Sequence, residues 1–569
     1  MSHDSDSSKK KSTATIAVST LVLVVIGCAA TVGVTKYNQT STSGDDNHVT
    51  TSNKAVQAMC QPTDYKDACV ESLQGASSDV NDPKELVKVG FNFTKKKLAE
   101  VLEQSATYKE AEQDPMAKQA LSICMDMMDL AVDHLEQSFE RIGVLDVTKV
   151  DDVLADLETW LSSVITYQGT CIDEFENVTS TAVPKIKEAL DKTLRFSSNI
   201  LVMVQQLNTI FKKLDIPEFN HRRLLEEEVL GHGEYPTWMN PEMRKLLAND
   251  AKADLVIAQD GSGNFKTFSE AVKALPIKSM TPFVVKIKAG IYKEKVMIPK
   301  NVWNITWIGA GAGAMQTRIT NSLNFIDGVK TYYTSTFTVQ GAGHIFKNMG
   351  FENSAGAAKH QAVAIVIDGD RTAFFNCRFD GYQDTLYSHA NRQFYRDCTI
   401  TGTVDFIFGD SRSLYQNCLI LVRKPLVNQQ NIVAASGRFN THSVTGLIFQ
   451  NCTITGDQSY LPVKAQFKSY LGRPWKEYSK AIYMQSFIDD VIHPDGWLPW
   501  FGTWALDTCY YAEFNNRGPG SDTSHRVTWR GIRHISQAQA AEHTGKRFFE
   551  KDDWITNAGI PYNGGMMAL

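Results

Sequence analysis

Two aspartates stand in settings that surface carboxylates usually avoid. Asp384 lies in GYQDTLY and Asp405 in TVDFIFG, both among aromatic and β-branched residues. A carboxylate stays in water unless it is paired or hydrogen-bonded. Asp384 follows Cys377 by seven residues, and Asp405 follows Cys398 by the same interval. If the two cysteines hold equivalent places on successive coils of a repeat, so do the aspartates, about 4.8 Å apart as on neighbouring strands. Two ionised carboxylates that close repel, so one pKa should rise, placing a general acid beside a nucleophile or base. The competing expectation is a pair of turn aspartates that accept backbone N–H bonds.

Neighbours narrow the chemistry. Gln383 precedes Asp384, and Gln361 in QAVAI lies one coil earlier. Amide donors beside a carboxylate nucleophile hold a developing oxyanion, which points to acyl transfer. Arg473 in LGRPW is placed to pair with Asp405, and Trp475 to stack on a sugar ring. Close carboxyls also serve retaining glycosidases, and β-helix lyases use acidic residues for calcium, so a glycosidase or lyase on the same fold stays open as an alternative. So does a catalytically dead binding or inhibitor protein. The thirteen histidines show no metal spacing, and no metal or cofactor is expected.

The scaffold that must align these residues is written in a degenerate repeat. FFNCRF, FYRDCTI, LYQNCLI and IFQNCTI share an aromatic, Asn or Asp, then Cys and a β-former, with the looser FKNMGF before them. Rungs of about twenty residues with stacked apolar side chains predict a right-handed parallel β-helix over 251–569. A β-sandwich would not repeat one hexapeptide in fixed register. GSGNF and IGAGAGAM are expected to be turn glycines, because no helical pattern follows the second.

The rest of the chain reads as separate modules. Lys9–Lys11 precede an uncharged run within 16–35, long enough to reach across a hydrocarbon core. The positive-inside rule leaves residues 1–15 in the cytosol and exports the remainder. The segment is a signal anchor or a cleaved signal peptide, its length favouring the anchor. Export into the secretory pathway suits the sequons at Asn38, Asn92, Asn177, Asn304 and Asn451. Residues 36–54 form a polar linker. From 55 to 215, apolar residues step by three and four (Leu121, Cys124, Met128, Ala131, Leu135), as in an all-α four-helix bundle. Cys60 and Cys69 are spaced to close a hairpin, and Cys124 and Cys171 to staple two helices. The connection 216–250 carries Arg222-Arg223 and Arg244-Lys245, candidate sites for a processing protease.

Charge separates the modules too. The net −5 divides into about +7 after residue 247 and about −12 before it, which predicts attraction between the halves and a polyanionic partner for the second. No nucleic-acid partner is expected.

Taken together, GIYKEKV at 290, QAVAI at 361, GYQDTLY at 381, GTVDFIFG at 402 and LGRPW at 471 resemble the plant pectin methylesterases (pectinesterases). CQPTDYKDAC and WLSSVITYQGTC resemble the pectin methylesterase inhibitor domain found as their N-terminal pro-region. The resemblance implies hydrolysis of the C6 methyl esters of cell-wall homogalacturonan, giving pectate and methanol. It implies Asp405 as nucleophile, Asp384 as proton donor and acceptor, and Gln383 with Gln361 as oxyanion stabilisers. Thr331, Gln361, Arg473 and Trp475 would hold the substrate. The pro-domain would inhibit the enzyme it precedes, and separate inhibitors of the same kind are conceivable partners. The family also implies a Cys398–Cys418 disulfide, whereas the repeat permits Cys377–Cys398 equally. The expected destination is the extracellular wall.

Overall fold

The structure, a computed structural model, describes residues 51–75, 82–143, 150–213, 252–311 and 313–568. Segment 16–35, Asn38 and the connection 216–250 with its two basic pairs lie outside these residues. No helix among the described residues is long and apolar enough to cross a membrane.

Among the described residues six helices come first: α1 (Thr51–Cys60), α2 (Lys66–Leu73), α3 (Pro83–Ala111), α4 (Pro115–Gly143), α5 (Val150–Glu174) and α6 (Ala182–Lys213). Pro83 opens α3 behind Asp82, whose side chain accepts from the Lys84 N–H, so fixed φ and a cap start the helix together. The four long helices pack in a ring, α3 on α4, α4 on α5, α5 on α6 and α6 back on α3. The expected disulfides are present. Cys60–Cys69 ties α1 to α2, and Cys124–Cys171 ties α4 to α5.

From Leu255 onward the chain winds into three parallel sheets of 11, 7 and 8 strands, the parallel β-helix that the repeat predicts. The repeat itself marks one corner of each coil. Asn348, Asn376, Asp397, Asn417 and Asn451 all adopt left-handed φ of 51 to 56°. Asn and Asp tolerate that region better than other side chains, which is why they recur there. The aromatic two residues earlier points inward and stacks on its counterpart. Phe346, Phe374, Tyr395, Tyr415, Phe449 and Tyr483 form a column with centroids 4.4 to 5.1 Å apart and planes within 13°. Each such ring adds roughly 1.5–3 kcal/mol of burial and fixes the register of its coil.

The cysteines after the corner residues stack as well, and here an expectation fails. Cys398 and Cys418 are free, as are Cys377 and Cys452. The register pairs them as neighbours, but each sulfur turns towards a backbone carbonyl of the preceding coil. Cys398 Sγ faces Phe374 O at 3.5 Å and Cys418 Sγ faces Tyr395 O at 3.6 Å. Equivalent side chains on a parallel ladder lie side by side, and the shared register stacks these cysteines as neighbouring free thiols without joining them.

Of the sequons, Asn92 and Asn177 are exposed. Asn304 and Asn451 occupy left-handed corners and already donate their amides to Ser279 O (2.6 Å) and Asn417 Oδ1 (2.9 Å).

The 7-stranded sheet bears the site. In chain order its strands are β1 (Val296–Ile298), β2 (Phe337–Val339), β3 (Ile365–Ile367), β4 (Leu386–Tyr387), β5 (Ile407–Gly409), β6 (Asn431–Ser436) and β7 (Ser469–Gly472). Its outward face is apolar, with Val366, Tyr387, Phe408 and Ala435 joining the same buried cluster as the helical bundle. A sheet covered on both faces loses the alternation of polar and apolar residues. That is why TLY and FIF read as continuous apolar runs.

Candidate active site

Asp384 and Asp405 sit two residues before β4 and β5. Leu386 pairs with Ile407 in register, which sets the two aspartates opposite each other on adjacent coils. The ladder continues through them, since Asp384 N–H donates to Val404 O (3.0 Å) and Leu386 N–H to Phe406 O (2.9 Å). Both residues are left-handed, with φ of 64° and 50°, so they are corner aspartates in backbone terms. Their carboxylates do something else. Among the described residues no backbone N–H caps either one.

Asp405 is gripped by Arg473, with Nε donating to Oδ1 at 2.8 Å and Nη2 to Oδ2 at 2.5 Å. The fork-to-carboxylate geometry fixes both oxygens at once. Arg473 follows β7, two strands beyond β5, and its own N–H donates to Ala434 O in the strand between. Its guanidinium also lies 4.1 Å over the Trp500 ring, a residue the sequence reading missed. Asp384 has no such cationic clasp. Desolvation first, and the Asp405 charge second, push its pKa well above the carboxylate range, with Arg473 opposing. One carboxylate is thus paired with a cation while its neighbour is held as the acid, the asymmetry an acid–nucleophile pair needs.

The predicted amides are close by in the fold. Gln383 is half-buried, and its Oε1 is enclosed without a hydrogen-bond partner. Gln383 O accepts from Ala362 N–H, so Gln361 lies one position short of strict register with Gln383. Thr331 begins a short turn ahead of β2, between Lys330 and Tyr332. Trp475 stands edge-on to Tyr387 and Phe408, with centroids at 6.5 and 6.0 Å. It can do so because residue 437 is glycine, where a Cβ would come within 2.9 Å of the ring.

Charge predicted that the two halves meet, but not which helix covers this face. Helix α5 lies along it, buried for nearly its whole length between the bundle and the sheet. Small polar residues of α5 meet polar groups of the β-helix: Ser163 donates to Asn391 Oδ1 (2.8 Å), Thr166 to Asp410 Oδ2 (2.7 Å), and Thr170 Oγ1 contacts His389 Nε2 (2.7 Å). His389 Nδ1 pairs with buried Asp368, which also accepts from Tyr332 OH. Asp156 of α5 meets Arg371 and Arg392. The void left between α5 and the sheet, bordered by Thr170, Tyr387, His389 and Trp475, measures about 10 Å³, room for about one water. Burial raises Glu174 to about 7 and Asp410 to about 6 at this contact. Asp156, Asp173 and Glu174 of α5 each meet a cation of the β-helix across this contact.

Comparison with known proteins follows the same division. The family model described as Pectinesterase matches residues 254–552, and that described as Plant invertase/pectin methylesterase inhibitor matches 54–203. The putative pectinesterase/pectinesterase inhibitor 28 of Arabidopsis thaliana is 44% identical over 568 residues, spanning 99% of this chain and 76% of that protein. The probable pectinesterase/pectinesterase inhibitor 21 of the same plant is 43% identical over 571 residues, 100% of this chain and 84% of its own. Among solved structures, pectin methylesterase from carrot superposes with a TM-score of 0.55 at 45% identity, covering 56% of this chain and 99% of the carrot chain.

Proposed function

The chain belongs to the pectinesterase family and is a pectin methylesterase enzyme preceded by an inhibitor-like domain, and from that premise we propose that Asp405 attacks the C6 methyl ester of a galacturonate unit. The carbonyl becomes tetrahedral, with its oxyanion held by the Gln383 and Gln361 amides. Collapse of that intermediate expels methanol, which takes its proton from Asp384, and leaves an acyl-Asp405 anhydride. Asp384, now a carboxylate, removes a proton from water, which hydrolyses the anhydride and regenerates both side chains. Arg473 orients Asp405, while Trp475 and Thr331 hold the sugars. The observation that carries this reading is the unequal pair: Asp405 clasped by Arg473, and Asp384 held as the acid by burial.

The helical bundle inhibits the enzyme in cis, supported by α5 lying across the site-bearing sheet. Release then requires a protease acting in 216–250. The uncharged segment 16–35 sends the chain through the secretory pathway to the cell wall, where homogalacturonan is found. These parts rest on the sequence reading of the linker, sequons and leader.

Methanol release from methylesterified pectin, measured before and after cleavage in 216–250, tests the whole. Cleaved protein should release methanol, and Asp405→Ala or Asp384→Ala should lower the rate by roughly 10³-fold or more without unfolding. Retained turnover in either variant overturns the mechanism.

A further inference from the structure

Two lysines of the β-helix are met by consecutive carboxylates at the end of α5. Lys476 Nζ pairs with Asp173 Oδ1. Lys330 Nζ lies 3.7 Å from Glu174 Oε2 and donates to the Glu174 backbone carbonyl at 2.6 Å. Among the described residues these are the only carboxylates within salt-bridge distance of either lysine. Both lysines are sheltered, with side chains 8% and 17% exposed. The cations at the other end of α5 differ. Arg392, which meets Asp156, is already paired with Asp370 inside the β-helix.

Removing α5 would therefore leave Arg392 satisfied and Lys330 and Lys476 without a counter-ion. Uncovered, both ammonium groups would stand free on the site-bearing face, where an anionic ligand could take the places of the two carboxylates. Position supports this: Lys330 adjoins Thr331, and Lys476 adjoins Trp475 and lies 5.2 Å over its ring. Both flank the residues assigned to sugar binding.

We propose that Lys330 and Lys476 are carboxylate subsites of the catalytic groove, each taking the free carboxylate of an already de-esterified galacturonate unit, and that Asp173 and Glu174 occupy them as substrate mimics. This rests on the pectin-ester reading above. One turnover creates a carboxylate that the same groove then holds, so partly de-esterified chains are better substrates than fully esterified ones.

The test uses the full chain with a protease site inserted in 216–250, cleaved, and the bundle followed by size exclusion. The probes are hexameric oligogalacturonates, either fully de-esterified or fully methylesterified. The de-esterified hexamer should release half the bundle at a concentration about tenfold lower than the esterified one. In K330Q/K476Q the two concentrations should come within about twofold, while K273Q/K546Q, the same charge change at exposed positions, keeps the tenfold ratio. Equal action of the two hexamers on the parent, release by neither, or an unchanged ratio in K330Q/K476Q overturns the proposal. Should K330Q/K476Q fail to fold, Asp173→Asn with Glu174→Gln replaces it. That bundle should come free at about tenfold less hexamer, and retention equal to the parent overturns the mimicry. Methanol release from the esterified hexamer in the same samples reports on the esterase reading separately. Selectivity without methanol sinks that reading alone, and methanol without selectivity sinks the subsites alone.

Discussion

Arg473 reaches past a whole strand to clasp Asp405 with two parallel hydrogen bonds of 2.8 and 2.5 Å. Lysine carries the same charge but cannot form the fork, nor lie flat on Trp500. Arg473→Lys should lower kcat by about 10²-fold while changing KM for methylated pectin far less, because a misplaced nucleophile loses the near-attack geometry. A steady-state comparison on cleaved protein checks this, and a pure KM effect counts against an orienting role.

Asp384 is held neutral by burial. A carboxyl whose folded pKa is raised contributes its full stability below its unfolded pKa and loses it as pH rises through the folded value. Asp384→Asn mimics the protonated acid and escapes that loss. It should abolish methanol release by roughly 10³-fold yet melt higher than the parent above about pH 5, the gap closing as pH falls below about 4. Melting curves across pH that run parallel would contradict the assignment of Asp384 as the acid.

Gly437 leaves room for Trp475. Gly437→Ala places a methyl against the ring and should displace it at a cost of about 1–3 kcal/mol. The expected readout is a several-fold higher KM for pectin in a protein that remains folded, seen together in kinetics and circular dichroism.

The Cys124–Cys171 bond spans 47 residues, a loop whose closure is worth about 4 kcal/mol in the chain-entropy account. It also anchors α5, the helix over the site. Cys171→Ser should lower bundle stability and let uncleaved protein release methanol. An unchanged, silent precursor would indicate that packing alone secures α5.

The sequence by itself determined the repeating parts. Its hexapeptide set the coil length, and Asn or Asp before each cysteine marked the left-handed corner. The shared seven-residue interval placed Asp384 and Asp405 in one register. Such features are local and periodic, so one coil's chemistry predicts the next. The helical stripes and the two bundle disulfides were legible for the same reason. Tertiary structure alone decided the rest. Cys398 and Cys418 share a register that permits a bond, yet their sulfurs turn to carbonyls, because a rotamer choice leaves no trace in spacing. Trp500 under Arg473, Gly437 under Trp475, and α5 across the sheet join residues tens to hundreds of positions apart. No period relates them. Charge asymmetry announced that the two halves attract, but only packing showed that Asp173 and Glu174 are the carboxylates that meet Lys476 and Lys330.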